Sequence, residues 1–419
     1  MHFSEEFGCS TEARLPEEVS VKNDLQSTRL SHPLYSKMKL FILPLKVIGV
    51  YHEPPFEDRS NFEATFGKFY HIFISLISIF NFVRFVPELW KDNVHPGLTY
   101  SEIIMCAFNL YCMVGIVLAY SGCSRKKHGL LSFFEHNQKY CNSVASRKLN
   151  CVPGNAHIKR EVYLALLFSM FHFSICTATQ YINAYVFETS EYHISSAPWT
   201  SSISVALFVI IVNHHVFLFL HYAVFVSLIS RYLQKQFKLL GERFSKMIET
   251  ECPAQQSGEA VIDEQLYESI RKQHNHLCDS VSHADACFSV YLLVMCLIQI
   301  PIIIFLAYQA LFSPEGVRTK MTYLSWLTSN SICMGVVTIH AALLNTEIHD
   351  FSDKIHRLSA LASKTCNDNL ISTHMLFLSR LNGPPIGYSV FGFVTITKEV
   401  LLTGVGFIFT YFVLLVQFQ

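Results

Sequence analysis

The stretch "TYFVLLVQFQ", residues 410–419, is a run of aromatic and aliphatic side chains interrupted by a glutamine within one turn of its end. Working back from it, the segment from Val400 to Phe418 carries no charge, and Lys398 and Glu399 stand just before it. At 1.5 Å per residue the twenty residues 399–418 reach ~30 Å, the thickness of a bilayer's hydrocarbon. In lipid a single strand of that length cannot satisfy its own backbone, so the stretch reads as a membrane helix.

The remainder of the chain repeats the pattern. Windows of about 19 residues find seven apolar stretches, at 69–90, 101–121, 161–187, 202–229, 287–312, 323–345 and 390–418. Hydrophobic residues make up 51% and charged residues 15%, against roughly 25% charged in soluble domains, which excludes a soluble fold. The expected fold is an all-α membrane protein of seven transmembrane helices. Lys+Arg and Asp+Glu balance at 32 each, so no nucleic-acid partner is indicated. The polar first 35 residues lack the apolar core of a cleaved signal, and none is expected.

Orientation follows from the basic residues. Arg125, Lys126, Lys127, Lys139, Arg147, Lys148, Lys159 and Arg160 follow span 2. Arg231, Lys235, Lys238, Arg243 and Lys246 follow span 4, and Lys354, Arg357, Lys364 and Arg380 follow span 6. The alternate connections hold Lys91, Arg318 and Lys320 alone. The positive-inside rule then places the N-terminus in the cytosol and the C-terminus outside. This inverts the arrangement of a G-protein-coupled receptor, and none of the 13 cysteines falls in an expected outer loop to form that class's disulfide.

With the end of the chain outside, Thr410, Tyr411, Gln417 and Phe418 on the last helix resemble the signature of the invertebrate gustatory receptors, which belong with insect odorant receptors to one superfamily of ligand-gated ion channels. "GYSVFGFVTITKEVLL" (387–402) is similar to that family's lead into its last helix. The resemblance implies a plasma-membrane homotetramer, or a heteromer with related subunits, whose seventh helices surround a pore for permeant cations. It implies a small-molecule tastant as ligand. The corresponding division is a cytosolic N-terminal segment (1–68), a six-helix peripheral bundle with the ligand pocket (69–345), a cytosolic anchor (346–389) and a pore helix (390–419).

Helical spacing puts Leu414, Gln417 and Phe418 on one stripe, a gate with a polar outlet if that stripe faces the axis; otherwise Gln417 caps a lipid-facing helix at the headgroups. In the outer halves of spans 2–6, Asn109, Gln180, Tyr181, Asn183, Gln299, Tyr308, Gln309, Trp326 and Asn330 are polar or aromatic. Pockets for small molecules combine aromatic walls with a few polar groups. Asn109, Gln180, Tyr181, Gln299, Trp326 and Asn330 are therefore the candidate ligand contacts, with interhelical glue as the alternative role.

"RLNGPPIG" (380–387) should break the chain before the last helix. Residues 38–50 are too short to span and are expected to lie at the inner membrane surface. His172, His214, His215 and His221 lie within spans, as cavity lining or as structural hydrogen-bonding groups. "HNHLCDSVSH" (274–283) has metal-ligand residue types without the paired spacing of a zinc motif, and reads as a solvated or subunit-contact helix. No metal, cofactor or enzymatic motif is found, so no catalytic role is expected. A secondary transporter or a non-conducting seven-helix scaffold are the rival functions.

Overall fold

The computed structural model describes residues 33–47, 49, 51, 61–91, 100–124, 129–146, 153–181, 202–251, 264–314, 316–362 and 368–417. Asn183 and Phe418 lie outside these, as do the side chains of Asn109, Gln180 and Tyr181. The helices are α1 (Pro33–Val47), α2 (Asn61–Lys91), α3 (Tyr100–Ser124), α4 (Leu130–Ser146), α5 (Asn155–Tyr181) and α6 (Ser202–Glu251). They continue with α7 (Glu264–Phe312), α8 (Val317–Ala362), α9 (Asp368–Leu381) and α10 (Lys398–Gln417). A two-stranded hairpin, β1 (Ser389–Val390) and β2 (Val394–Thr395), precedes α10.

Among the described residues, α10 and long segments of α5, α6, α7 and α8 are long and apolar enough to cross a membrane. Shorter apolar segments, Thr65–Phe80 in α2 and Met113–Ser124 in α3, overlap part of the first two expected spans. The chain is a helical membrane protein. The apolar stretch 390–418 is not one helix, because its first residues form the hairpin and the helix starts at Lys398.

Helix α6 has 50 residues, ~75 Å of rise, and so continues far beyond any hydrocarbon layer. Val226, Ile229, Leu233, Phe237, Leu240 and Phe244 recur every three or four residues and are fully buried, continuing one apolar face past Lys235 and Lys238. That face holds α6 at the centre of the bundle, against α5, α7 and α8.

The segment expected at the membrane surface is partly enclosed by protein. In α1, Met38, Phe41, Ile42 and Leu45 are buried against α5 and α6, while Leu40, Leu43 and Val47 are exposed. His221 Nε2 donates to Phe41 O at 2.9 Å, which leaves Nδ1 to accept from the Ser169 hydroxyl at 3.0 Å. Other serine–histidine pairs join helices in the same way: Ser78 with His215 (2.8 Å), His172 with Ser329 (2.7 Å) and Ser227 with His340 (2.6 Å). These intramembrane histidines are interhelical fastenings, each contributing roughly 0.6–2 kcal/mol.

The run 274–283 is solvated on one face only, at His276, Asp279 and Ser282. His274 is buried between the rings of Phe237, Phe351 and Phe377, and no metal-binding group occurs among the described residues. The reason is helical register: Ile270, His274, Leu277, Cys278 and Val281 share the buried face of α7.

Candidate functional site

Three linked places carry the candidate chemistry. The first is a polar knot in α7 and α8. Pro301 has no N–H to give to the carbonyl four residues earlier, and the helix widens into a π turn over Met295–Gln299 just before it. The turn delivers Gln299 against α8, where its Nε2 donates to Asn330 O at 2.7 Å. Asn330 Nδ2 in turn donates to Trp326 O at 2.8 Å. Gln299 is 1% exposed, yet its Oε1 has no hydrogen-bond partner among the described residues. An unsatisfied buried acceptor costs about 1–3 kcal/mol.

Around the knot, Ile302, Leu306 and Tyr323 are buried and pack with Phe305, Trp326, Leu327 and Ala107. The structure thus brings Gln299, Trp326 and Asn330 together. Asn109 lies on α3, two residues beyond Ala107, and Gln180 and Tyr181 close α5. Sequence reading missed Tyr323 and Ile302, whose role appears only when α7 and α8 are paired.

The second place is the joint before α10. Asn382 N–H ends α9 by donating to Leu378 O at 2.8 Å, and Gly383, Pro384 and Pro385 prevent continuation. Asn345 and His349 of α8 then bracket Ile386: Asn345 Nδ2 donates to Ile386 O at 2.9 Å and Ile386 N–H donates to His349 Nε2 at 3.2 Å. A Cβ on Gly387 would stand 3.0 Å from Thr395 Cγ2 and 3.3 Å from Asn345 Cβ, so only glycine fits without displacement.

The hairpin turns through Phe391 (φ 53°) and Gly392 (φ 76°), closed by Phe393 N–H on Val390 O at 3.1 Å. The loop of three residues, 391–393, thus turns tightly, and the positive φ costs Phe391, a residue with a side chain, about 1–2 kcal/mol. Contacts to α7 hold it. Phe391 N–H donates to Ser289 O at 3.1 Å, and the Asp285 carboxylate accepts from Ser389 N–H at 2.6 Å and from the Ser389 hydroxyl at 2.8 Å. Burial pushes the Asp285 carboxyl above the usual range, and the bonds from Ser389 work against that shift. The α10 helix therefore hangs from α7 and α8 through a fixed hairpin.

The third place is α10. Thr397 starts it, its Oγ1 accepting from Val400 N–H at 3.3 Å. No residue of α10 is buried. Leu401, Gly404, Ile408, Phe412 and Leu415 are half-buried at helical spacing and form the face toward the bundle. Thr403, Gly406, Thr410, Leu414 and Gln417 are exposed, and at 100° per residue they lie diametrically opposite that face, in line with Glu399. The hydroxyls of Thr403 and Thr410 donate to Glu399 O and Gly406 O one turn back, at 2.9 and 2.8 Å. Tyr411 lies on a flank of this stripe, 47% exposed.

The profile of the 7tm Chemosensory receptor family matches residues 41–419, and the chain belongs to that family. It is a receptor family, and no catalytic role is assigned to the chain. The fold is similar to that of the insect olfactory receptor OR5 from Machilis hrabei, with a TM-score of 0.66 at 14% identity, over 92% of this chain and 99% of that one. The same receptor in complex with eugenol gives a TM-score of 0.67 at 15% identity, with the same coverage of both chains. No curated protein matches the sequence significantly. The resemblance to the insect chemoreceptor superfamily, read from the last helix, is borne out.

Proposed function

We propose that the protein is a gustatory-class receptor of the plasma membrane acting as a ligand-gated, non-selective cation channel, in which a small tastant binding the outer bundle dilates a ring of α10 helices. The observation that carries this reading is the two-faced α10. An apolar helix with no buried residue requires further cover, yet the face turned away from its own bundle holds Glu399, Thr403, Gly406, Thr410 and Gln417, with Leu414 among them, while the larger apolar side chains Leu402, Val405 and Phe409 lie on its flank. Lipid would favour the reverse arrangement, whereas a water-filled axis between copies accommodates it. In a homotetramer Glu399 would ring the inner mouth, and Leu414, Gln417 and Phe418 would form the outer constriction.

Seven spans with a cytosolic N-terminus, and the division into peripheral bundle (69–345), anchor (346–389) and pore segment (390–419), belong to the same reading. A tag placed after Gln419 and stained on intact cells tests the orientation. On the ligand side, Gln299 Oε1 offers an acceptor on the helix turn just before the cluster that holds Trp326 and Tyr323. Asn109, Gln180 and Tyr181 would complete the contacts. The similar Machilis hrabei receptor in complex with eugenol, an aromatic hydroxyl compound, suits that chemistry.

The test is to record currents from cells expressing this chain alone across sugars, amino acids and bitter compounds. Ligand-evoked cation current supports the channel; substrate uptake without conductance would favour a transporter, and neither would favour a scaffold. Gln417→Arg would set four positive charges at the constriction and should abolish or strongly reduce the current with assembly intact. Unaltered conductance and selectivity in that variant would place Gln417 off the permeation path.

A further inference from the structure

Away from α10 and the polar knot, a cavity of about 310 Å³ opens where α1, α5 and α6 meet, lined by Arg160, Arg231, Lys235, Lys238 and Glu161. Arg160 lies just before the apolar stretch of α5, and Arg231 just past that of α6. The cavity therefore sits at the level where both helices leave the hydrocarbon, on the side that carries the basic connections. Lipid phosphates lie at that depth.

Its charge is arranged rather than scattered. Glu161, whose side chain is 12% exposed, pairs with Arg231 at 2.7 Å and approaches Arg160 at 3.6 Å. His157 Nδ1 also approaches this carboxylate, at 3.7 Å, and the Arg231 side chain, 44% exposed, keeps N–H donors of its planar fork for a further acceptor. Lys235 and Lys238, one helical turn apart on α6, line the same space. Four cations against one carboxylate leave an excess that a single phosphodiester would not neutralise.

The lining also includes apolar side chains, Met38 of α1, Ile158 of α5 and Leu228 of α6, each at most 4% exposed. The volume leaves room for a sugar ring with its phosphates rather than for a lone ion. Cationic and apolar lining together at the membrane boundary suit a headgroup still attached to its acyl chains.

We infer that this cavity is a binding site for the headgroup of an anionic inositol lipid carrying phosphomonoesters, seated between α1, α5 and α6 on the cytosolic side. Basic pockets between transmembrane helices on that side take such headgroups. The site would hold α1 to the bundle at the base of α6. Its assignment to the cytosolic leaflet rests on the orientation proposed above, but the binding chemistry does not.

Binding of dioctanoyl phosphatidylinositol 4,5-bisphosphate to the purified full-length receptor in detergent, followed by native mass spectrometry, tests the site. One Lys near an anionic membrane contributes about fivefold in affinity, so Lys235→Gln with Lys238→Gln should weaken binding ~25-fold. Arg160→Gln, at a side chain 70% exposed, serves as a second variant that leaves the Glu161–Arg231 pair intact and should weaken binding about fivefold. Dioctanoyl phosphatidylserine should bind at least tenfold more weakly than the bisphosphate, and free inositol trisphosphate more weakly than the lipid.

Unchanged affinity in both variants, or no binding by the wild type, overturns the site. Inositol trisphosphate or inorganic phosphate binding as tightly as the lipid would overturn the lipid assignment in favour of a soluble phosphate. Detergent exposes both faces of the protein, so an error in orientation would show in the C-terminal tag and not in this measurement.

Discussion

Asp285→Ala removes the clamp between α7 and the hairpin that carries α10. Ser389 N–H would lose its acceptor at 2.6 Å, and the Ser389 hydroxyl its acceptor at 2.8 Å, in a residue only 7% exposed. Hydrogen bonds to a charged group contribute about 1.5–3 kcal/mol each, and relief of the buried carboxylate's desolvation offsets part of the loss. A net destabilisation of about 2–3 kcal/mol follows. Ser389→Ala keeps the backbone bond but loses the hydroxyl, together with its bond from Gly392 N–H at 2.9 Å. In a double-mutant cycle on thermal unfolding of the purified receptor, the two substitutions should therefore couple by about 1–2 kcal/mol. Asp285→Asn retains an amide oxygen for Ser389 N–H and should cost less than half as much as the alanine. In recordings, Asp285→Ala should reduce maximal agonist-evoked current more than agonist binding, because the joint transmits and does not bind. Additivity within about 0.5 kcal/mol, or a full maximal current in Asp285→Ala, would refute the clamp.

Two other outcomes follow from the site and the core. Gln299→Ala and Trp326→Ala should shift the dose dependence of an identified agonist with surface expression preserved; if both stay within about twofold of wild type, the ligand binds elsewhere. Burial pushes His274 down to about 3, so below pH 6.5 the unfolded chain takes up a proton that the folded one refuses. Stability then falls as pH drops, by up to ~1.4 kcal/mol per pH unit for this one group. His274→Phe, which fits its aromatic surroundings, should remove one proton's worth of that slope between pH 6 and 4 in thermal melts. An unchanged slope would mean that His274 is protonated in the folded protein.

What was legible in the sequence was set by local chemistry. Gly383, Pro384 and Pro385 announced the break after α9, and Lys398 with Glu399 marked where α10 begins within the longer apolar stretch 390–418. Gln299, Trp326 and Asn330 were found because polar groups in apolar spans stand out. The length of α6 was not legible from a hydropathy window, since beyond Ser230 its buried residues alternate with lysines and arginines and the mean falls while the helical period persists. Residues 390–396 read as membrane because Val390, Phe391, Phe393, Val394 and Ile396 are apolar, yet a hairpin bonded to α7 forms there. The Asp285–Ser389 clamp joins positions 104 residues apart, and no sequence period encodes it.

The central claim, that the stripe opposite the packed face of α10 lines the ion path, is tested most directly by single cysteine substitutions and a charged, water-soluble thiol reagent applied during agonist-evoked current. Thr403→Cys, Thr410→Cys and Leu414→Cys should be modified and their currents altered, relative to a wild type that keeps its own cysteines. Ile408→Cys and Phe412→Cys, on the face toward the bundle, should behave as wild type. Modification at Ile408 and Phe412 with none at Thr403, Thr410 and Leu414 would contradict the pore assignment outright.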